Sequence, residues 1–234
     1  MQYMGGKAMI AKHIVSFLNQ HRTEGQLFVE PFLGGCNILP LMALPKWGNE
    51  INTSIGMFYS ALQNGWVPPK DVSEEEYTAL RHAEDSALRG FVGMVCSFGG
   101  KWFGGYARES SGTRNYATSG HNVAMKTAPK LQDAVITWMD YKAMHIPDGS
   151  LVYCDPPYAG TTGYKIKFDH DAFWQWVRDL SRRCTVFVSE YTAPKDFECV
   201  WERERRCGLE DGKNGAGASR TERIFRLKPA RSNT

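Results

Sequence analysis

The sequence predicts an α/β fold of the Rossmann-like kind: a sheet with helices on both faces, a C-terminal antiparallel hairpin and a mainly helical insertion. Three observations predict it. QLFVEPF is a short apolar run stopped by proline and followed at once by the glycine turn LGGC, the opening of an α/β nucleotide-binding unit. Strand-like runs alternate with helix-like segments in the first third of the chain and again after residue 134. Between residues 72 and 133 that alternation stops, so residues 1–71 and 134–234 are expected to form one domain and 72–133 an insertion.

Ile10, Ile14, Val15, Phe17 and Leu18 recur at helical spacing after GGK, which predicts a first helix to about His21. QLFVEPF follows as a buried strand ended by Pro31, and LGGCNILPLMAL as a glycine turn with an apolar helix start. GNEIN is a short second strand. TSIGMFYSALQNGW reads as a helix closed by Asn64-Gly65 and Pro68-Pro69. Ser73 and Glu76 have the spacing of a capping box, so another helix begins there. After the insertion come AVITWMDY and LVYCDPP, a helix over DHDAFWQWVRDLSRR, and the strand TVFVSEY. CVWERERR and RTERIFRL alternate as two antiparallel strands, joined by the glycine-rich loop CGLEDGKNGAGAS, whose centre is expected to be mobile.

Length and composition narrow the classes. With 234 residues and 42% hydrophobic content the chain can bury one large core. No apolar run approaches the roughly 20 residues that span a bilayer, and the N-terminus lacks a signal-peptide core. A cytoplasmic location is expected. The six cysteines, Cys36, Cys96, Cys154, Cys184, Cys199 and Cys207, form no C-x-x-C pair, which argues against a disulfide framework or a zinc site. The six histidines show no ligand spacing either, so no metal is expected.

The formal charge of +3 is unremarkable, but its distribution is uneven. From Ser86 to Lys130 the bases are Arg89, Lys101, Arg108, Arg114, Lys126 and Lys130, against the single acid Glu109. A second basic excess runs from Arg203 to Arg231. Such segments suit a polyanionic partner, and they equally fit a solvated face. Trp102, Phe103 and Tyr106 sit among glycines and bases, a setting better suited to stacking on or wedging between nucleic-acid bases than to a core. Trp174 and Trp176 read instead as core or helix-face residues.

In FVEPFLGGC the glycines allow a tight turn and close approach of a ligand at a strand's carboxyl end, although such a turn is more often only a turn. It is neither a Walker loop nor a G-x-G-x-x-G fingerprint. A cofactor with a nucleoside and charged groups but no phosphate remains open. Glu50 lies where an acid commonly binds ribose hydroxyls, or is a solvated glutamate. Lys7 could pair with a ligand carboxylate, or is simply solvated.

Asp155-Pro156-Pro157-Tyr158 is the most restrictive pattern. The prolines stiffen the backbone after a strand and remove competing amide donors. Asp155 and the Pro156 carbonyl can then accept both hydrogens of a planar exocyclic amine while Tyr158 stacks on its ring. Such an amine is a poor nucleophile because its lone pair is delocalised. Two fixed acceptors favour the pyramidal form that attacks an electrophile.

Together YMGGK at 3–7, FVEPFLGG at 28–35 and DPPY at 155–158 resemble, in order, the motifs of DNA adenine-N6 methyltransferases of the Dam type, especially compact bacteriophage members. FVSEY and TERIFRL resemble that family's later strands, so the likeness spans nearly the whole chain. The resemblance implies a methyltransferase sheet whose target-recognition insertion is residues 72–133. It implies S-adenosylmethionine as cofactor, with Tyr3 in the first motif and Lys7 at its carboxylate. Glu30, Pro31, Phe32, Gly34 and Gly35 would line the methionine end, Glu50 the ribose, and Asp155 would border both cofactor and base. It implies a flipped-out adenine held by Asp155, Pro156, Pro157 and Tyr158. Double-stranded DNA would be the partner, contacted by Arg89, Lys101, Trp102, Tyr106, Arg108 and Arg114. A monomer is expected, with a dimer as the alternative.

Two departures stand out. The family's F-x-G-x-G has Cys36 at its second glycine, and its usual aspartate on the second strand is Glu50 here. The rival expectations are an RNA adenine-N6 methyltransferase and a catalytically silent DNA-binding protein. Roughly 120 residues between the cofactor and DPPY motifs, far beyond an ordinary connection, favour duplex DNA over RNA.

Overall fold

The computed structural model describes residues 1–108, 115–158, 168–206 and 219–229. Among these are seven strands of mixed direction and six α-helices, an α/β arrangement consistent with a Rossmann-like fold. The chain divides into two compact units, Met1–Ile146 and Pro147–Thr234.

In the first unit, α1 (Ala11–Gln20) buries Ile14, Val15, Phe17 and Leu18, the apolar stripe seen in the sequence. Three parallel strands follow in the order β3-β2-β1: β1 (Phe28–Glu30), β2 (Lys46–Asn49) and β3 (Val135–Thr137). All three β1 residues are buried, as a covered strand requires. The expected helix over NILPLMAL is not formed. A single 3-10 turn, Leu39–Leu41, stands there, because Pro40 and Pro45 interrupt the run and β2 starts at Lys46. The second strand accordingly lies earlier than GNEIN, and Glu50 falls just beyond its end rather than within it.

Asn49 fixes the carboxyl ends of all three strands. Its Nδ2 donates to the carbonyls of Pro31 (3.2 Å) and Met139 (3.0 Å), while Oδ1 accepts from Met139 N and Thr137 Oγ1. Next, α2 (Thr53–Gln63) is capped by Asn52, whose Oδ1 accepts from Ile55 N.

The described residues of the segment 72–133 carry three α-helices, as expected of a mainly helical insertion: α3 (Glu74–Leu80), α4 (Ala87–Val95) and α5 (Tyr116–Thr127). The Ser73–Glu76 capping box is present in both directions. This segment belongs to the first compact unit. Gly90 lets α4 press against the start of α2, since a Cβ there would lie 2.0 Å from the Ser54 carbonyl oxygen. Gly120 serves α5 against Val95 of α4 in the same way.

The second unit contains β4 (Leu151–Cys154), α6 (His170–Leu180), β5 (Thr185–Glu190), β6 (Phe197–Arg206) and β7 (Ser219–Leu227). β4 and β5 are parallel, while β7 is antiparallel to both β5 and β6, so it runs between them. Side chains explain the order. On β7, Glu222, Ile224 and Phe225 are all buried, so both faces are covered, whereas β6 exposes Glu202, Arg203 and Glu204 as an outer strand does. Arg226 meets Glu198 (2.8 Å) and Arg223 meets Glu202 (3.3 Å) across the β6–β7 register. Trp174 is buried against Phe197 and Trp176 stacks on Phe173, the structural roles expected of both. The CGLEDGKNGAGAS loop through residue 218 lies outside the described residues.

No helix among the described residues is long and apolar enough to cross a membrane, and no group of three metal-ligating side chains occurs among them. Cys36, Cys96, Cys154, Cys184 and Cys199 are free thiols. Burial pushes the Cys96 thiol up to about 12, which leaves it protonated and unreactive near neutrality.

Candidate functional site

The first unit gathers the YMGGK segment, the FVEPFLGG turn and Glu50. Gly34 is the centre of this group. It adopts φ +45°, and a Cβ there would lie 2.9 Å from the Tyr3 ring. Its N–H donates to Glu50 Oε2 (2.9 Å) and its carbonyl accepts from the buried Tyr59 hydroxyl (2.8 Å). Glu50 Oε1 accepts from Asn52 N at 3.0 Å, so the carboxylate ties the glycine turn to the start of α2. Burial raises the Glu50 carboxyl above its ordinary range, opposed by the amides of Asn52, Gly34 and Ile51.

Gly35 is packed as tightly: a Cβ would lie 2.8 Å from Asn37 Nδ2 and 2.9 Å from Tyr3 Cβ. Cys36 is buried with φ +49°, the left-handed conformation in which glycine is at ease. The departure from F-x-G-x-G is therefore a side chain held in a glycine backbone. Glu30, buried at the end of β1, accepts from Leu39 N (2.8 Å) and fixes the far end of the turn. Pro31 is buried, Phe32 is half-buried against Tyr141, and Lys7 is buried with Nζ 3.3 Å from the Gly5 carbonyl.

Three apolar residues that sequence reasoning did not single out lie beside Glu50. Ile51 follows it directly, and Trp138 and Met139 follow β3, whose Thr137 carbonyl accepts from Glu50 N at 3.1 Å. All three are exposed. Their signal was faint because isolated apolar residues after short strands are common. Adjacent exposed apolar side chains and a buried carboxylate suit a flat heterocycle joined to a hydroxylated sugar.

The insertion's expected DNA contacts divide into internally engaged and exposed side chains. Arg89 is engaged internally: it pairs with Asp85 (2.8 Å), donates to Ser54 Oγ and the Leu80 carbonyl, and lies over the Trp102 and Phe103 rings. Phe103 is buried, contrary to its reading as poor core chemistry, because Gly93 leaves room for its ring. Tyr106 donates to the Val72 carbonyl (2.6 Å) and meets Tyr77 edge-on. Arg108 is exposed and pairs with Glu74, Trp102 is half-buried, and Lys101 is exposed. Arg114 lies outside the described residues.

Phe98, which the sequence reading passed over, is 66% exposed on the turn 98–100. That turn is clasped to YMGGK: Met4 N donates to the Gly100 carbonyl, and a Cβ on Gly100 would lie 2.7 Å from Tyr3 Cα.

In the second unit DPPY leaves the end of β4. Leu151, Val152, Tyr153 and Cys154 are buried, Asp155 is half-buried, Pro156 is buried, and Pro157 and Tyr158 are half-buried. The Tyr158 hydroxyl donates to Glu222 Oε2 (2.9 Å), and its ring meets Tyr191 in a T-shaped pair with centroids 4.7 Å apart. Burial, with the negative charges of Asp155 and Glu222, holds the phenol well above its ordinary value. Tyr158 therefore stays neutral and serves as ring and donor. Tyr153 and Ser189 join β4 to β5 through their hydroxyls at 2.7 Å.

The chain matches no family model and no curated protein.

Proposed function

We propose that the protein transfers a methyl group from S-adenosylmethionine to the N6 amine of an adenine flipped out of duplex DNA. The observation that carries this reading is the DPPY segment. It leaves a fully buried parallel strand and presents a half-buried carboxylate and a tyrosine whose hydroxyl is anchored by a buried glutamate.

The residues of the first unit fit the cofactor's chemistry. Gly34 and Gly35 are closed over by Tyr3 and Asn37, which holds the main chain of the turn still beside Glu50. Glu50 would accept from ribose hydroxyls, Ile51 and Trp138 would cover the adenine ring, and Lys7 would face the carboxylate. When bound, S-adenosylmethionine supplies an electrophilic methyl group on a sulfonium and leaves as the neutral thioether.

Asp155 and the Pro156 carbonyl would accept the two N6 hydrogens, turn the nitrogen lone pair out of conjugation and stabilise positive charge as the N–C bond forms. Tyr158 would stack on the base. No metal is needed, because the acceleration comes from positioning and electrostatics. On the DNA side, exposed Lys101 suits phosphate and Phe98 suits insertion between bases.

The test is methyl transfer from labelled S-adenosylmethionine to unmethylated duplex DNA, followed by sequencing that detects N6-methyladenine. Methylated adenines in a recurring short context are expected. Transfer to RNA alone would replace the substrate, and cofactor binding without any transfer would replace the function with DNA binding.

A further inference from the structure

Glu222 is a buried carboxylate on β7, 3% exposed, on the same face of the strand as the buried Ile224. Burying a charge without purpose is costly, so its partners are informative. One is the Tyr158 hydroxyl at 2.9 Å. Its neighbour on β7, Arg223, donates from Nη1 to the Tyr191 carbonyl (3.1 Å) and pairs in register with Glu190 of β5. Glu190 is itself buried, and its Oε1 accepts from Tyr191 N at 2.8 Å. Tyr191 is thus held by its amide, by its carbonyl and by its ring against Tyr158. The DPPY tyrosine is braced at its hydroxyl by β7 and at its ring by Tyr191, the residue that follows β5.

We infer that Glu222 is a positioning residue. Through its hydrogen bond it fixes the orientation of the Tyr158 ring before a base arrives, and the Tyr191 contact completes the brace. The inference rests on the proposed adenine methylation and extends it to a residue 64 positions from DPPY in the chain. A tyrosine hinged at two side-chain bonds and unbraced at its tip would sample several ring orientations. Anchoring the hydroxyl removes that freedom in advance, so the stacking surface is ready when the base enters.

The experiment compares Glu222→Leu, Glu222→Gln, Tyr158→Phe and the double variant Tyr158→Phe/Glu222→Leu. The readouts are kcat and KM for DNA at saturating S-adenosylmethionine, with calorimetric cofactor affinity as the control for intact folding. Glu222→Leu and Tyr158→Phe are each expected to lower kcat/KM for DNA by roughly tenfold to a hundredfold with cofactor affinity unchanged. Glu222→Gln should stay within about twofold, because its amide oxygen accepts the same hydroxyl. The double variant should be no worse than the more damaged single one. Wild-type turnover in Tyr158→Phe, or losses that simply add, would overturn the inference. If Glu222→Leu does not fold, Tyr158→Phe and Glu222→Gln still decide it. A wild-type protein that binds the cofactor but methylates no nucleic acid would instead remove the functional reading, and the inference with it.

Discussion

The glycine turn of the first unit and the DPPY segment of the second solve the same problem, holding a polar surface still at a strand's end, by opposite means. Around Gly34 the work is done by main chain: a left-handed glycine whose N–H and C=O are both bonded, closed over by Tyr3 and tied to Glu50. After β4 it is done by side chains: prolines that stiffen the backbone, and a tyrosine held by Glu222 and Tyr191. A site built from main chain is sensitive to any added atom but indifferent to much of its side-chain surroundings. A site built from side chains can be dismantled one partner at a time.

The contrast is broken most severely at Asp155. Asp155→Ala should lower methyl transfer by roughly 10²–10³-fold, the scale of losing one preorganised electrostatic group, while duplex-DNA affinity in a gel-shift titration stays near wild type. Normal turnover in that variant would end the catalytic assignment. Next in size is Glu50→Ala, expected to weaken S-adenosylmethionine binding by about 10–100-fold in calorimetry, the value of charge-assisted hydrogen bonds.

The same residue sharpens the comparison through pH. Its raised carboxyl holds a proton in the folded chain where the unfolded chain has already released it. The folded state therefore gains stability as pH falls from that raised value toward 4.5, and the gain is lost as pH rises back through it. Urea midpoints from pH 7 to 4.5 should show this gain in wild type and not in Glu50→Gln. On the proposed role of Glu50, cofactor affinity should fall over the same window as its carboxylate is protonated.

Gly34→Ala tests the main-chain side directly. It should cost about 1–2 kcal/mol for the left-handed conformation and displace Tyr3, lowering both the melting temperature and cofactor affinity. Tyr191→Leu is the smallest change, removing an aromatic pair worth about 0.5–1.5 kcal/mol. Its urea midpoint should fall while cofactor affinity holds. An equal loss of cofactor affinity would show that the two arrangements do not respond independently.

Much of the architecture was legible beforehand because the signals were local. The apolar stripe of α1, the Ser73–Glu76 box, the buried run LVYC and the alternating charges of β6 and β7 each depend on residues a few positions apart. The failed helix over NILPLMAL shows the limit of that reading. Its apolar content was right for a helix, but two prolines and the early start of β2 left no room for one. Arg89 and Phe103 show another limit. Their composition suggested nucleic acid, yet Arg89 also bonds to Ser54, 35 positions away, and Phe103 fits against Gly93, and neither contact is visible without the fold.

The sequence by itself determined the order of strands and helices, the glycine turn and the DPPY terminus of β4, because backbone preference and apolar periodicity are written in neighbouring residues. Only the tertiary structure decided that β7 lies between β5 and β6, that Asn49 stitches three strand ends, and that Glu222 reaches Tyr158. Those are pairings across tens of residues. Hydrogen bonding selects such partners by distance and direction in space, and neither quantity can be read along the chain.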